Sequence, residues 1–172
     1  MSHKIILDTD PGIDDAMAIF FAFQHPEIDV LGLTTVFGNV PVDMAAKNAI
    51  TLCALADKDI PVCKGVGMPW VGKESGYAHF VHGDDGFGNI NFPAAKGDLD
   101  PRSSAQFIVD MAREYPGEIT VVAIGPLGNL ALALRLEPEL PKLLKAVSIM
   151  GGAAFVPGNV TPLAEANIWN DA

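Results

Sequence analysis

The chain has 172 residues, enough for one domain that buries roughly 70% of its extended-chain surface. A hydrophobic content of 49% and a mean hydropathy of +0.29 fit a filled globular core and weigh against disorder. A net charge of −10 and a pI near 4.6 weigh against a nucleic-acid backbone or an anionic membrane as partner, and leave a neutral small molecule compatible.

No amino-terminal stretch follows the order of a signal peptide, and no apolar run approaches the length of about 18 residues that a spanning helix needs. Cys53 and Cys63 are the two cysteines. They stand in apolar surroundings without metal-site spacing, so the expectation is reduced core thiols in a cytoplasmic protein.

Taken in order, strand and helix patterns alternate. A strand over residues 5–7 leads into a helix over 14–24, which His25-Pro26 closes. A β-branched run at 30–36 predicts the second strand, with Phe37-Gly38-Asn39 at its carboxyl end. Pro41 suits a first helical turn, and 44–55 carries an apolar helical face. A short strand at 60–63, a helix at 105–113, a strand at 119–124, a helix at 127–136 and a strand at 146–150 complete the pattern. The long stretches 64–101 and 151–172 show no clear periodicity; loops of that length are commonly functional or mobile.

Strands this apolar, in β-α-β-α order, predict an α/β fold: a Rossmann-like, mostly parallel sheet with helices on both faces, forming a single domain over 1–172. In such sheets ligands gather beyond the carboxyl ends of the strands. There the sequence places the aspartate run, Phe37-Gly38-Asn39, Gly125-Pro126-Leu127-Gly128-Asn129 and Met150-Gly151-Gly152. All of these segments could converge on one rim.

The chemistry is densest in Asp8-Thr9-Asp10-Pro11-Gly12-Ile13-Asp14-Asp15. Residues two apart on a strand share a face, so Asp8 and Asp10 can point the same way, whereas adjacent helical residues diverge by about 100°, so Asp14 and Asp15 cannot share a task. A helix amino terminus relieves about 0.3–1 kcal/mol per charge, too little for four crowded carboxylates. Either some stay protonated or a cation sits among them. With oxygen donors and neither Cys nor His in the run, that cation would be calcium or magnesium.

The run DTDPGIDDAMAI resembles the amino-terminal signature of the inosine-uridine-preferring nucleoside hydrolases, which cleave the N-glycosidic bond of ribonucleosides with a tightly held Ca2+. The resemblance continues in order along the chain. It implies that Asp10 and Asp15 bind calcium together with the main-chain carbonyl of Ile124, a position where the family often has Thr. It also implies that Asp10 takes a proton from water, that Asp14 holds a ribose hydroxyl, and that Asp8 braces the metal ligands from behind. Asn39 would lie close to the metal-binding aspartates. Met150, Asn159, Glu165 and Asn167, in MGG…GNVTPLAEANIWND, would grip the ribose, and His82 would stand over the base.

Other readings compete at several of these positions. Asn39 also suits an ordinary turn, and Asp14 and Asp15 also suit a helix cap. His79-x-x-His82 has a spacing that suits zinc on a helix, but Gly76, Gly83 and Gly86 disfavour a regular helix there; exposed loop histidines are the default. The glycine-rich 125–129 segment has neither the Walker pattern nor the dinucleotide fingerprint and reads as a tight strand-to-helix turn. Asp8-Thr9-Asp10 also matches the bare D-x-D of haloacid-dehalogenase-like phosphatases, which would leave Asp14 and Asp15 without a role.

Members of the resembling family run considerably longer than this chain, and their carboxyl-terminal part brings a further calcium-ligating Asp and an adjacent His. The expectation is therefore a fold truncated at its carboxyl end, with an open sheet edge and an incomplete calcium shell. A completing carboxyl-terminal chain, or association into a homo-oligomer, would then accompany the nucleoside substrate as partner. The alternative is a catalytically inactive fragment or subunit that binds a divalent ion.

Overall fold

The computed structural model describes residues 2–72, 76–93 and 95–171. The strands β1 (His3–Thr9), β2 (Ile28–Thr35), β3 (Val62–Lys64), β4 (Ile119–Ala123) and β5 (Ala146–Ile149) form one sheet in the order β3-β2-β1-β4-β5. Every neighbouring pair is parallel. The order reverses beside β1: the chain winds outward from β1 to β2 and β3, then returns to lay β4 and β5 on the other side. The carboxyl end of β1 therefore opens onto the crevice between the loops after β2 and β4, where ligands bind in sheets of this kind.

Alternation along β1 builds the core on both faces. Ile5 and Leu7 join Ile19, Leu33, Leu52 and Val62 on one side, beneath α1 (Ile13–Gln24) and α2 (Val42–Leu55). Ile6 joins Phe107, Ile108, Val121 and Ala133 on the other, beneath α4 (Ser104–Glu114) and α5 (Gly128–Leu136). A strand buried on both faces cannot show polar alternation, which is why the sequence presents it as a continuous apolar run.

Helix and strand bounds fall within two residues of the expected ones, and the shifts have local causes. Ser103 caps α4, its side chain accepting from the Gln106 amide at 3.2 Å, so that helix begins at Ser104 rather than 105. Pro41 occupies the N-cap of α2 and not its first turn. Three short helices lie outside the sequence pattern: α3 (His79–His82), α6 (Leu140–Leu143) and α7 (Ala166–Asn170). One turn is too short to display a 3.6-residue period. No helix among the described residues is long and apolar enough to cross a membrane.

At the sheet's edge β5 is exposed along all four residues, with Val147 at 40% and Ile149 at 49%. Its sequence reads as a core strand, yet nothing described covers it.

Candidate active site

The site is built at the end of β1. Asp8 is wholly buried. Its Oδ1 accepts from Thr34 Oγ1 at 2.6 Å and from Asn129 Nδ2 at 2.8 Å, while Oδ2 has no hydrogen-bond partner among the described residues. Burial pushes its pKa up to about 6, against the pull of the two donors. Asn129 donates a second time to the Thr35 carbonyl, and its Oδ1 accepts from the Val66 amide. The segment 125–129 is thus the expected strand-to-helix turn, and through Asn129 it also ties together the ends of β1, β2 and β3.

Two residues on, Asp10 is buried at the crevice. Its Oδ2 accepts from the Asn39 amide at 2.6 Å, and Oδ1 lacks a partner among the described residues. Gly38 and Gly125 press on this carboxylate from the loops after β2 and β4. A Cβ on Gly38 would come within 2.0 Å of Oδ2, and one on Gly125 within 2.7 Å of Oδ1. Burial, then the charge of Asp15, raises the Asp10 pKa well above the ordinary carboxylate range.

Asp14 and Asp15 divide as the helical geometry predicts. Asp15 is buried, accepting from Thr9 Oγ1 at 2.7 Å, the Gly12 amide at 3.1 Å and Asn39 Nδ2 at 2.9 Å; burial raises its pKa too. Asp14, with 70% of its side chain exposed, faces His82 Nδ1 at 3.9 Å. Asn39 is more than a turn residue, since its backbone and side-chain N–H groups bridge Asp10 and Asp15.

A cavity of about 780 Å³ opens beside these residues, lined on one side by Asp14, Asp15, Asn39 and His82 and on the other by Ile124, Met150, Asn159 and Asn167. His82 is buried, not an exposed loop residue. His79 pairs with Asp84 at 2.9 Å, while His82 Nδ1 accepts from the Ile13 amide, so the two rings serve different partners and do not form a zinc pair. Tyr77, Phe80, Val81 and Trp169 also line the cavity. No sequence pattern singled them out, because they reach the cavity through loops and one-turn helices.

The carboxyl-terminal residues are engaged with one another. Asn167 Nδ2 donates to the carbonyls of Ile124 at 2.9 Å and Met150 at 2.8 Å, holding the end of β4 against the segment after β5. Asn159 Oδ1 accepts from the Ala166 amide at 3.0 Å. Glu165 caps α7, accepting from the amides of Asn167 and Ile168, and also takes the Gly152 amide; it is not among the cavity-lining residues.

Among the described residues no group of three His, Cys, Asp or Glu side chains is arranged to hold a metal ion. Asp10 and Asp15 nevertheless fit a hard cation as part of a shell. All donors at this point are oxygens, and Oδ1 of Asp10 and Oδ2 of Asp8 are buried without hydrogen-bond partners among the described residues, a costly state for a carboxylate that a cation relieves.

The chain matches known proteins along nearly its whole length. The family model described as inosine-uridine preferring nucleoside hydrolase matches residues 5–172. The chain is 53% identical over 170 residues to a probable uridine nucleosidase 2 of Arabidopsis thaliana, covering 98% of this chain and 53% of that protein. It is 42% identical to an inosine-uridine preferring nucleoside hydrolase of Leishmania major, covering 99% and 55%. A solved plant nucleoside hydrolase superposes with a TM-score of 0.95 at 46% identity, covering 99% of this chain and 54% of that one. A purine-preferring ribonucleoside hydrolase from Gardnerella vaginalis gives a TM-score of 0.94 at 33% identity, covering 98% and 54%. The chain therefore spans about half the length of the relatives it matches. Within that span the agreement runs through every strand that shapes the crevice, and the chain belongs to the inosine-uridine preferring nucleoside hydrolase family.

Proposed function

We propose that the protein hydrolyses the N-glycosidic bond of ribonucleosides to free base and ribose with Ca2+ as cofactor. The observation that carries this reading is a buried carboxylate, Asp10, with one oxygen unpartnered among the described residues, whose hydrogen-bonded neighbour Asn39 lines, with Asp15, a cavity of about 780 Å³, within the size range of small-molecule sites. Uridine and inosine are the first substrates to test, because relatives are named for them.

Asp10, Asp15 and the Ile124 carbonyl would hold the ion. Bound there, calcium supplies fixed positive charge that orders ribose hydroxyls and makes water easier to deprotonate. Asp10 takes the proton from the attacking water. The Asp10–Asp15 pair also places negative charge near the anomeric carbon as it gains oxocarbenium character. Asp14, Asn39, Asn159 and Asn167 line the cavity and supply acceptors and donors for ribose hydroxyls, with Met150 beside them. Glu165 contributes by fixing the start of α7, and Asp8 by bracing Asp10. His82 faces the base. A D-x-D phosphatase would leave Asp15 idle, whereas here Asp15 shares Asn39 with Asp10.

Base and ribose released from uridine or inosine, quantified by chromatography with calcium and again with chelator, test the reading. Calcium-dependent release supports it. Absence of release from either nucleoside, assayed with everything that co-purifies, overturns it, and phosphate release from an aryl phosphate would favour the phosphatase instead. Gly38→Ala tests the geometry: a methyl group at the Asp10 carboxylate displaces it and lowers kcat about tenfold to hundredfold, with unchanged kcat counting against the assignment.

A second reading, in which this chain is an inactive part of a site that another polypeptide completes, is favoured by the exposed β5 edge. Calcium-dependent stabilisation without nucleoside cleavage distinguishes it. A cytoplasmic location and a homo-oligomer or completing chain belong to the proposal as well, the first supported by two buried free thiols.

A further inference from the structure

Asn48, buried on α2, has no place in the chemistry above. Its Nδ2 donates to two carbonyls from different parts of the chain, Pro11 at 3.1 Å and Asp85 at 2.9 Å. Pro11 belongs to the aspartate turn. Asp85 organises the loop after α3: its carboxylate accepts the amides of Phe87, Asn89 and Asn91, each at 2.8 Å. That loop returns to His82, whose carbonyl accepts the Gly88 amide at 2.7 Å. One amide group therefore sets the spacing between the turn that bears the aspartates and the loop that bears His82.

The consequence falls on the imidazole. His82 Nδ1 lies 3.2 Å from the Ile13 amide and accepts its proton. The ring packs on Gly12 so closely that a Cβ there would sit 2.8 Å from Nδ1. A backbone N–H can only donate, so Nδ1 must carry its lone pair and the ring proton resides on Nε2. Asp14 Oδ1, at 3.9 Å from Nδ1, is too distant to reverse that choice. His82 lines the cavity, and its Nε2–H is a donor of the kind that a departing base needs as it gains electron density.

We propose that Asn48 is a positioning residue that, by tying Pro11 to Asp85, holds His82 against the Ile13 amide as the Nε2–H tautomer facing the base. The proposal rests on the hydrolase reading for its catalytic consequence, and its structural part is measurable without turnover.

Asn48→Ala and the milder Asn48→Ser are compared with wild type on uridine and on 4-nitrophenyl riboside, whose phenolate leaves without a hydrogen bond. For uridine kcat/KM falls about tenfold to hundredfold in Asn48→Ala, and for the activated riboside less than about threefold. His82→Ala gives the same split, and adding Asn48→Ala to it costs little more, as expected when one residue acts through the other. A merely structural role lowers both substrates in parallel and overturns the proposal. Long-range 1H–15N spectra of the histidine rings show the Nε2–H form of His82 in wild type and a mixture in the Asn48 variants. A wild-type ring protonated on Nδ1, or variants with an unchanged tautomer, overturns it too. If wild type cleaves neither riboside, the hydrolase reading fails, while the spectra still decide whether Asn48 sets the tautomer. Should Asn48→Ala not fold, Asn48→Ser, which keeps one donor, shows the same split at smaller size.

Discussion

Asp10→Asn abolishes nucleoside cleavage and at the same time makes the calcium-free protein more stable at neutral pH. The substitution preserves shape, and the Asn39 amide keeps an oxygen to donate to. What disappears is the base and one anionic oxygen for the cation. Loss of a general base alone is worth about 10²–10⁴ in rate, so kcat falls about a thousandfold or more. Stability moves the other way because wild-type Asp10 is buried, close to Asp15, and has one oxygen without a partner among the described residues. An unpartnered neutral amide costs about 1–3 kcal/mol, and a buried unpaired charge costs more. Thermal melts in chelator near neutral pH should therefore show a higher Tm for the variant, and calcium should raise it less than it raises wild type. Retained turnover removes Asp10 as the base. Lost turnover with a lower Tm means that the side chain holds the fold and not the chemistry.

That trade of stability for reactivity was legible in the sequence where the interactions are local. Asp8, Asp10 and Asp15 lie within eight positions, so strand alternation and helical rotation alone place two of them at a strand end and turn Asp14 away from Asp15. Asn129 was not legible, because its partners are Asp8, Thr35 and Val66, and only the sheet order brings those together. The same holds for Asn48, an unremarkable polar residue on a helix until the Asp85 loop folds over it. His82 had the signals of an exposed loop residue, and it is the bare surface of Gly12 that lets the ring bury itself. Glu165 carries a local signal, an acidic residue just before α7, where its carboxylate caps the helix.

β5 meets one expectation and departs from another: the sheet edge is open, as the truncated resemblance implies, while the strand's own residues suit burial. Ala-Val-Ser-Ile is a buried-strand sequence, and its parallel pairing with β4 is as predicted, yet all four residues are exposed. Sequence pattern reports the environment a segment is suited to; whether that environment is present depends on other chain. The relatives it matches are about twice as long, and among the described residues nothing packs over β5.

In chelator the protein loses stability as pH rises from about 4 to about 6, and calcium restores it at neutral pH. Asp8 has a pKa of about 6 in the fold against about 3.9 in an unfolded chain. The folded state therefore holds the proton more tightly, so this stabilisation is complete below the unfolded value and is lost as pH climbs through the folded one. A shift of about two units corresponds to roughly 3 kcal/mol, and Asp10 and Asp15 shift in the same direction. Carboxylates held low, such as Asp100 at about 2 through Arg102, act in the opposite sense, but their contribution is lost below about pH 4, outside this window. A cation that binds the ionised aspartates adds about 2.7 kcal/mol at a hundred times its Kd. Melting curves from about pH 4 to pH 7.5, with chelator and with calcium, should thus diverge above about pH 5. Self-repulsion from the net charge of −10 would also favour low pH, and Asp8→Asn separates the two causes: it should lessen the slope of the chelator curve by more than the loss of a single charge accounts for, with Asp10 and Asp15 keeping the rest. A chelator curve that is level or rising between pH 4 and 6, or a neutral-pH Tm indifferent to calcium, would remove the buried aspartates as the cation's site.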